Sequence, residues 1–300
     1  LGTSTATPFA SLNSAWARDG VVVRVAIGVE VIDPIQFLYL TTPGADGCAV
    51  HVRNVLRVAR GARVQFIESY AGLAPAASFT NAVTEVSVGD GAWIEHSRIQ
   101  RESESAYHVG LTEVEQGRDS HYRSFTLAMG GAIARHDLRV HLGDENVETL
   151  LYGLYLARGT QLVDNHTTIF HDHPNCRSWE VYKGILDDNS RAVFNGKVFV
   201  TPEAQKTDAK QTNRNLLLSA GAKVDTKPQL EIFADDVKCT HGATVGRLDE
   251  TAFFYLQSRG IPRAEAKRLL TYAFGAEVVS EVASVPVREA LDRLVLERLR

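Results

Sequence analysis

The feature that most constrains this chain is a two-residue beat of apolar side chains. Gly, Asp and Asn restart it repeatedly, and no helix-like stretch interrupts it before Leu248. From Val21 to Val31 the odd positions are Val21, Val23, Val25, Ile27, Val29 and Val31, with Arg24, Gly28 and Glu30 among the even ones. A period of two sends alternate side chains to opposite faces, so 21–31 reads as a strand with one buried face. Asp33-Pro34 ends it, because proline lacks the ladder N–H and restricts the residue before it. Short β-branched or aromatic runs recur at 51–58, 62–67, 83–88, 92–99, 120–127, 138–142, 150–156, 161–169, 179–186 and 192–200. Between them sit Gly61, Gly89-Asp90-Gly91, Gly117, Gly143-Asp144, Gly159 and Asp187-Asp188-Asn189. Without intervening helices the runs cannot be βα units, so the body is all-β. The punctuating glycines recur about every 25–30 residues, the range of a solenoid coil. The expected architecture is a parallel β-helix whose coils stack apolar side chains on one another.

The pattern changes after Leu248. Asp249 is an N-cap candidate, Ala252, Phe253 and Leu256 fall at helical spacing, and Gly260 reads as a C′ residue. Pro262 suits a first turn. Ala266, Leu269, Leu270, Ala273 and Phe274 then make an apolar stripe that Gly275 is expected to end. A third helix starts near Ser284-Val285-Pro286 and carries Val287, Ala290, Leu291, Leu294 and Val295. The chain therefore divides into an N-terminal lead-in (1–20), a β-helix body (21–248) and a small C-terminal helical domain (249–300). That small unit cannot bury three stripes alone. It must pack on the β body, on a partner or on both, as a cap over the open end of the solenoid or as a docking surface for another subunit.

Composition removes several classes of function. A formal charge of −4 gives no basic excess for nucleic acid. No apolar run spans a bilayer, and no basic-then-apolar leader is present. Three widely spaced cysteines, Cys48, Cys176 and Cys239, fit a reducing cytoplasm better than a disulfide framework. The chain begins at Leu1 rather than Met, which reads as a processed form or excised piece.

Two clusters carry candidate chemistry. His171, His173 and Cys176, with His166 upstream, are metal-ligand types, but their spacing matches no closed zinc pattern, and hydrogen-bonded histidines are the commoner outcome. Cys239 and His241, one residue apart on an extended segment, share a face. They can hold a soft metal, act as nucleophile and base, or be a buried thiol beside a structural histidine. Serine-hydrolase, phosphate-loop, HExxH and dinucleotide signatures are missing. Glu95, Glu102, Glu104 and Asp137 would serve a β-helix carbohydrate-cleaving enzyme, though no spacing selects them.

Residues 165–274 carry a series of longer phrases. They run His166-Thr167, His171-x-x-Pro174-x-Cys176-x-Ser178, Lys183-Gly184-Ile185-Leu186 and Arg191-Ala192-Val193-Phe194-Asn195-Gly196-Lys197. They continue with Ala204-Gln205-Lys206-Thr207, Asn215-Leu216-Leu217-Leu218-Ser219, Pro228-Gln229-Leu230-Glu231-Ile232, Ala234 to Gly246 and Phe254-Tyr255-Leu256-Gln257-Ser258-Arg259-Gly260-Ile261. In this order they resemble the SufB/SufD family of iron–sulfur cluster assembly proteins. The form Cys239-Thr240-His241-Gly242-Ala243-Thr244 is similar to the SufD branch; SufB has an acidic residue where Gly242 stands, and a scaffold cysteine in a stretch that here, 216–228, has none.

The resemblance implies a right-handed parallel β-helix flanked by helices and a non-catalytic scaffold subunit. Its partners would be a SufB-like paralogue, met through the β-helices, and a SufC-like ABC ATPase, docked on the C-terminal helices. A homodimer is the alternative for the isolated chain. His241 matches the family histidine at the SufB–SufD seam, where it takes part in forming a nascent cluster or supplying its iron; Cys239 stands beside it. The iron or cluster would be transient and shared, none tightly bound to the isolated chain. His171, His173 and Cys176 keep a structural reading. The family's N-terminal helical region is not evident. The alternatives are a stand-alone metal-binding β-helix and a β-helix carbohydrate-active enzyme.

Overall fold

The computed structural model describes residues 7–299. Among these described residues, sixteen strands form two eight-stranded parallel sheets. The odd strands are β1 (Val22–Val25), β3 (Ala49–Val58), β5 (Phe79–Val88), β7 (Tyr107–Gln116), β9 (Ile133–Leu142), β11 (Leu162–His171), β13 (Arg191–Val200) and β15 (Lys223–Ile232). The even strands are β2 (Ile35–Thr41), β4 (Arg63–Gly72), β6 (Trp93–Arg101), β8 (His121–Ala128), β10 (Glu148–Ala157), β12 (Arg177–Leu186), β14 (Asp208–Leu217) and β16 (Lys238–Gly246). Each strand pairs with the one two places before or after it, so the chain winds as a solenoid of about eight turns. Partners lie from 26 residues apart (Tyr107↔Ile133) to 33 (Val22↔Val55), which sets the coil length.

Coils turn at corners where one residue takes a left-handed conformation. Gly61, Gly91, Asp119, Asn146, Asn175 and Lys206 do so along one side, with φ between 56° and 66°. Glycine pays no Cβ penalty there, and Asn and Asp tolerate the region better than most residues, hence the punctuation of the sequence. The run 21–31 is not one strand. β1 ends at Val25, Gly28 turns at φ 69°, and Gly28 N–H donates to Arg60 O at 2.9 Å. Ile27 and Val29 consequently lie on a corner, 66% and 43% exposed. β7 hid from the apolar pattern because its inward side chains include His108, Thr112 and Gln116.

Half of the lumen is apolar, a stack running through Leu56, Val86, Val114, Val140, Ile169 and Val198. The other half is polar and closed to solvent. Glu68 accepts from Tyr70 Oη at 2.5 Å and Thr84 Oγ1 at 3.0 Å, and its Oε2 lies 3.1 Å from His96 Nε2. Glu102 accepts from Thr80 Oγ1 at 2.6 Å and lies 2.7 Å from His108 Nδ1. Arg98 Nη2 lies against His108 Nε2, and His108 Nδ1 faces Glu102. Burial alone would raise both carboxyls, but these donors hold Glu68 and Glu102 down at about 2.

Helix α1 (Pro8–Trp16) lies within the 1–20 lead-in, where no helix was evident from sequence; residues 1–6 fall outside the described range. Thr7 caps it, and Asn13 Nδ2 donates to Val52 O and Asn81 O, pinning it to β3 and β5. Helices α2 (Glu250–Ser258), α3 (Arg263–Val279) and α4 (Val285–Arg298) follow the strands. Asp249 caps α2, accepting from Thr251 N at 2.8 Å, and Gly260 ends that segment at φ 84°. α3 does not stop at Gly275. That glycine is buried, and a Cβ built there would lie 3.4 Å from Leu154 and Ile185, so it lets the helix approach the sheet.

Nor do the helices cap the solenoid. α3 packs on the outer faces of β10 and β12, where Leu154, Leu156 and Ile185 meet Val278, Val279, Leu291 and Val295. Lys183, itself buried, donates to Phe274 O at 3.0 Å, pairs with Glu277 and lies under the Phe274 ring. A buried ammonium so paired ties the helices to the sheet.

Both lumen carboxyls ionise in the fold below their ordinary 4.5, so they stabilise it above that pH and stop doing so as pH falls through about 2. Each contributes on the order of 3 kcal/mol at neutral pH. The urea midpoint should therefore drop steeply from about pH 4.5 to about pH 2.5, and a Glu68→Gln, Glu102→Gln double variant should show a lower but flatter profile. A flat wild-type profile over that range would refute the ionised network.

Candidate functional site

The C-terminal end of the solenoid is open. β15 and β16 are the last members of their sheets, paired only to β13 and β14. No described helix covers them, since α2 follows β16 directly and α3 returns along the sheet's outer face. The burial pattern records this. Ala209 and Gln211 on β14 are each 1% exposed, whereas their register partners Cys239 and His241 are half-buried and exposed respectively. Both therefore stand on the lumen side of a coil with nothing stacked on it among the described residues.

The edges are polar rather than greasy. Lys223, Lys227 and Lys238 lie on them, and Pro228 occupies β15, where an edge strand tolerates the missing N–H. Apolar groups at this end are also exposed: Phe233 at 61% and Val245 at 49%. Beside His241 the backbone is open, for a Cβ added to Gly242 would meet nothing within 4 Å.

Cys239 packs against the lumen core, and burial pushes its thiol up. At neutral pH it is a protonated thiol, a weaker ligand and nucleophile than a thiolate. Among the described residues no group of three His, Cys, Asp or Glu could hold a metal. One imidazole and one thiol are an incomplete coordination set, so a metal here needs ligands from another molecule.

The other candidates are scattered. His171 is fully buried in the lumen, 2.8 Å from Ser178 Oγ, and burial lowers it to about 3. Cys176 is buried too, raised to about 11 by burial, and donates to Asp144 O at 3.2 Å. His173 sits in the intervening turn, and His166 pairs with Asp164 on the outer face of β11. Opposite parity separates His166 from His171, and among the described residues the cluster brings no three ligand-type groups together. Glu102 is in the lumen, Glu104 is at a corner with Arg158 and Arg298, and Glu95 and Asp137 lie on the outer faces of different sheets.

Sequence reading did not single out Glu180 and Gln211. They occupy the lumen row that ends at His241, and Gln211 Nε2 donates to Glu180 Oε2 at 2.8 Å. Their signal is two polar residues at strand positions whose period-two neighbours are inward-facing.

The molecule is a parallel β-solenoid with one open, polar end bearing an exposed histidine. The family model described as the SUF system FeS cluster assembly SufBD core domain matches residues 40–274. An iron–sulfur cluster assembly SufBD family protein of Synechocystis is 36% identical over 295 residues, which cover 96% of this chain and 65% of that protein. The iron–sulfur cluster assembly protein SufD of Escherichia coli is 35% identical over 293 residues, 97% of this chain and 68% of that protein. SufD of Bacillus subtilis is 30% identical over 297 residues, 97% and 66% respectively. The chain belongs to the SufBD family of iron–sulfur cluster assembly proteins, and it spans about two thirds of the length of these relatives.

The thiol environments predict an order of alkylation. Cys48 is exposed, Cys239 half-buried and Cys176 buried. Iodoacetamide at neutral pH should label Cys48 first, Cys239 more slowly, and Cys176 only after denaturation, as mass spectrometry of timed samples would show. Early labelling of Cys176 would contradict the packing described.

Proposed function

We propose that this chain is the SufD-like, non-catalytic scaffold subunit of a cytoplasmic SufBCD-type complex. Its open end pairs with a SufB-like paralogue, and His241 offers a nitrogen ligand to iron or a nascent cluster at the seam. The observation that carries this reading is the uncovered final coil, where an incomplete donor set meets unpaired strand edges. A second solenoid end can satisfy the edge N–H and C=O groups and complete the ligand set at once. A lone neutral imidazole binds iron weakly enough to release it, which suits transfer. Cys239 is secondary, because its thiol stays protonated until a metal displaces the proton. No described helix is long and apolar enough to cross a membrane.

The C-terminal helices are the docking element for a SufC-like ATPase. Phe254 and Tyr255 on α2 are 74% and 55% exposed, and aromatic side chains are frequent interface anchors. Movement of the bound ATPase would reach the solenoid through Lys183, Glu277 and the apolar face under α3.

The test is co-purification of the full-length protein with SufB-like and SufC-like partners, followed by iron and sulfide quantification. His241→Ala should leave the complex assembled with about tenfold less iron and sulfide. Normal loading would exclude the histidine's role. Removing residues 249–300 is a poor docking test, because it bares Leu154 and Ile185 and orphans Lys183. A Phe254→Asp, Tyr255→Asp variant should instead bind the ATPase at least about tenfold more weakly with the same melting temperature. Unchanged binding would move the docking surface elsewhere.

A further inference from the structure

His241 makes no hydrogen bond among the described residues, yet its register partner one coil down has an acceptor to spare. Gln211 is 1% exposed, and its Oε1 is buried without a partner. A buried carboxamide oxygen left unpaired is costly, so something is expected to meet it.

The orientation of that amide is constrained. Nε2 donates to Glu180 Oε2 at 2.8 Å, which places the nitrogen on the Glu180 side. Across the lumen stands Gly196, where an added Cβ would lie 2.3 Å from Nε2 and 2.8 Å from Cδ. Only a residue without a side chain leaves that room, so the amide is held from two sides and its oxygen is the free end. Burial lifts the Glu180 carboxyl to about 7, and as the carboxylate it can only accept, which requires the amide nitrogen on its side. Neighbouring strands are ~4.8 Å apart, so stacked Gln and His side chains on one face come within hydrogen-bond reach by side-chain rotation.

We propose that Gln211 is the positioning residue for His241: its Oε1 accepts the inner N–H of the imidazole and leaves the other ring nitrogen bare toward the open end. Metal-binding histidines commonly donate their second nitrogen to a carbonyl or carboxylate, which fixes the tautomer and ring orientation and raises basicity. Glu180 acts one step further back, by holding the amide. The part of this inference that concerns iron rests on the function proposed above; the hydrogen bond itself does not.

The two halves are separable by experiment. In the full-length protein labelled with ¹⁵N-histidine, the His241 ring signals are those lost in His241→Ala. The neutral wild-type ring should show one dominant tautomer, Gln211→Leu a mixture close to free imidazole, and Gln211→Glu, which keeps an acceptor, a single tautomer again. Gln211→Met replaces the leucine variant if that one lowers the melting temperature. The same tautomer ratio in wild type and in the apolar variant would overturn the positioning role. Anaerobic ferrous titration of the complex with its paralogue reads the second half. Apparent affinity should fall about 10- to 100-fold in the apolar variant and recover in Gln211→Glu. A lost tautomer preference with unchanged ferrous affinity would leave the hydrogen bond standing and refute His241 as the iron ligand.

Discussion

In-register stacking of parallel coils is the constraint on which the rest of this molecule depends. Each strand hydrogen-bonds to the strand two places on, so residues about thirty apart in sequence become immediate neighbours on one face. The corners help to set this register: a left-handed residue recurs at the same place in successive coils from Gly28 to Lys206. Once register is set, the side chains form continuous rows, and every row must be chemically tolerable along its whole length. The apolar rows achieve this by shape, the polar rows by hydrogen bonding from coil to coil.

The polar rows explain both the interior and the open end. Inside, Glu68, His96, Arg98, Glu102 and His108 form a closed network in which each charge has a donor or counter-charge beside it. Toward the C-terminus, beyond Leu151, the row becomes polar again at Glu180 and Gln211, and at β16 it comes to the surface as His241. A solenoid presents its interior only at its ends. A histidine that would be structural in an inner coil therefore becomes accessible in the last one.

Much of the fold was legible in the sequence. The parallel β-solenoid, most of its strands, the Asp249 cap and the start of α4 near Ser284 followed from period, punctuation and capping residues. The failures have physical causes. Val21 to Val31 are apolar at every odd position, yet a corner at Gly28 interrupts them, because its left-handed turn leaves no trace in hydropathy. Strand β7 turns His108, Thr112 and Gln116 inward, so most of its inward residues read as outward ones. Gly275 looked like a helix end because its packing against Leu154 and Ile185 depends on residues ninety or more positions away. At the site, Cys239 and His241 were legible as a same-face pair; Gln211 and Glu180 were not, because only register aligns them with His241.

The sequence by itself determined the class of fold and the family, since periodicity, turn residues and local phrases are properties of neighbouring positions. It also marked His241 and Cys239, which lie close enough along one strand for parity alone to pair them. Only the tertiary structure decided which histidines are enclosed and which is exposed, that α3 lies along a sheet instead of over the solenoid's end, and that Gln211 sits beneath His241. Those outcomes depend on how many coils stack above a given residue and on what lies across the lumen, and both are set by contacts between distant segments.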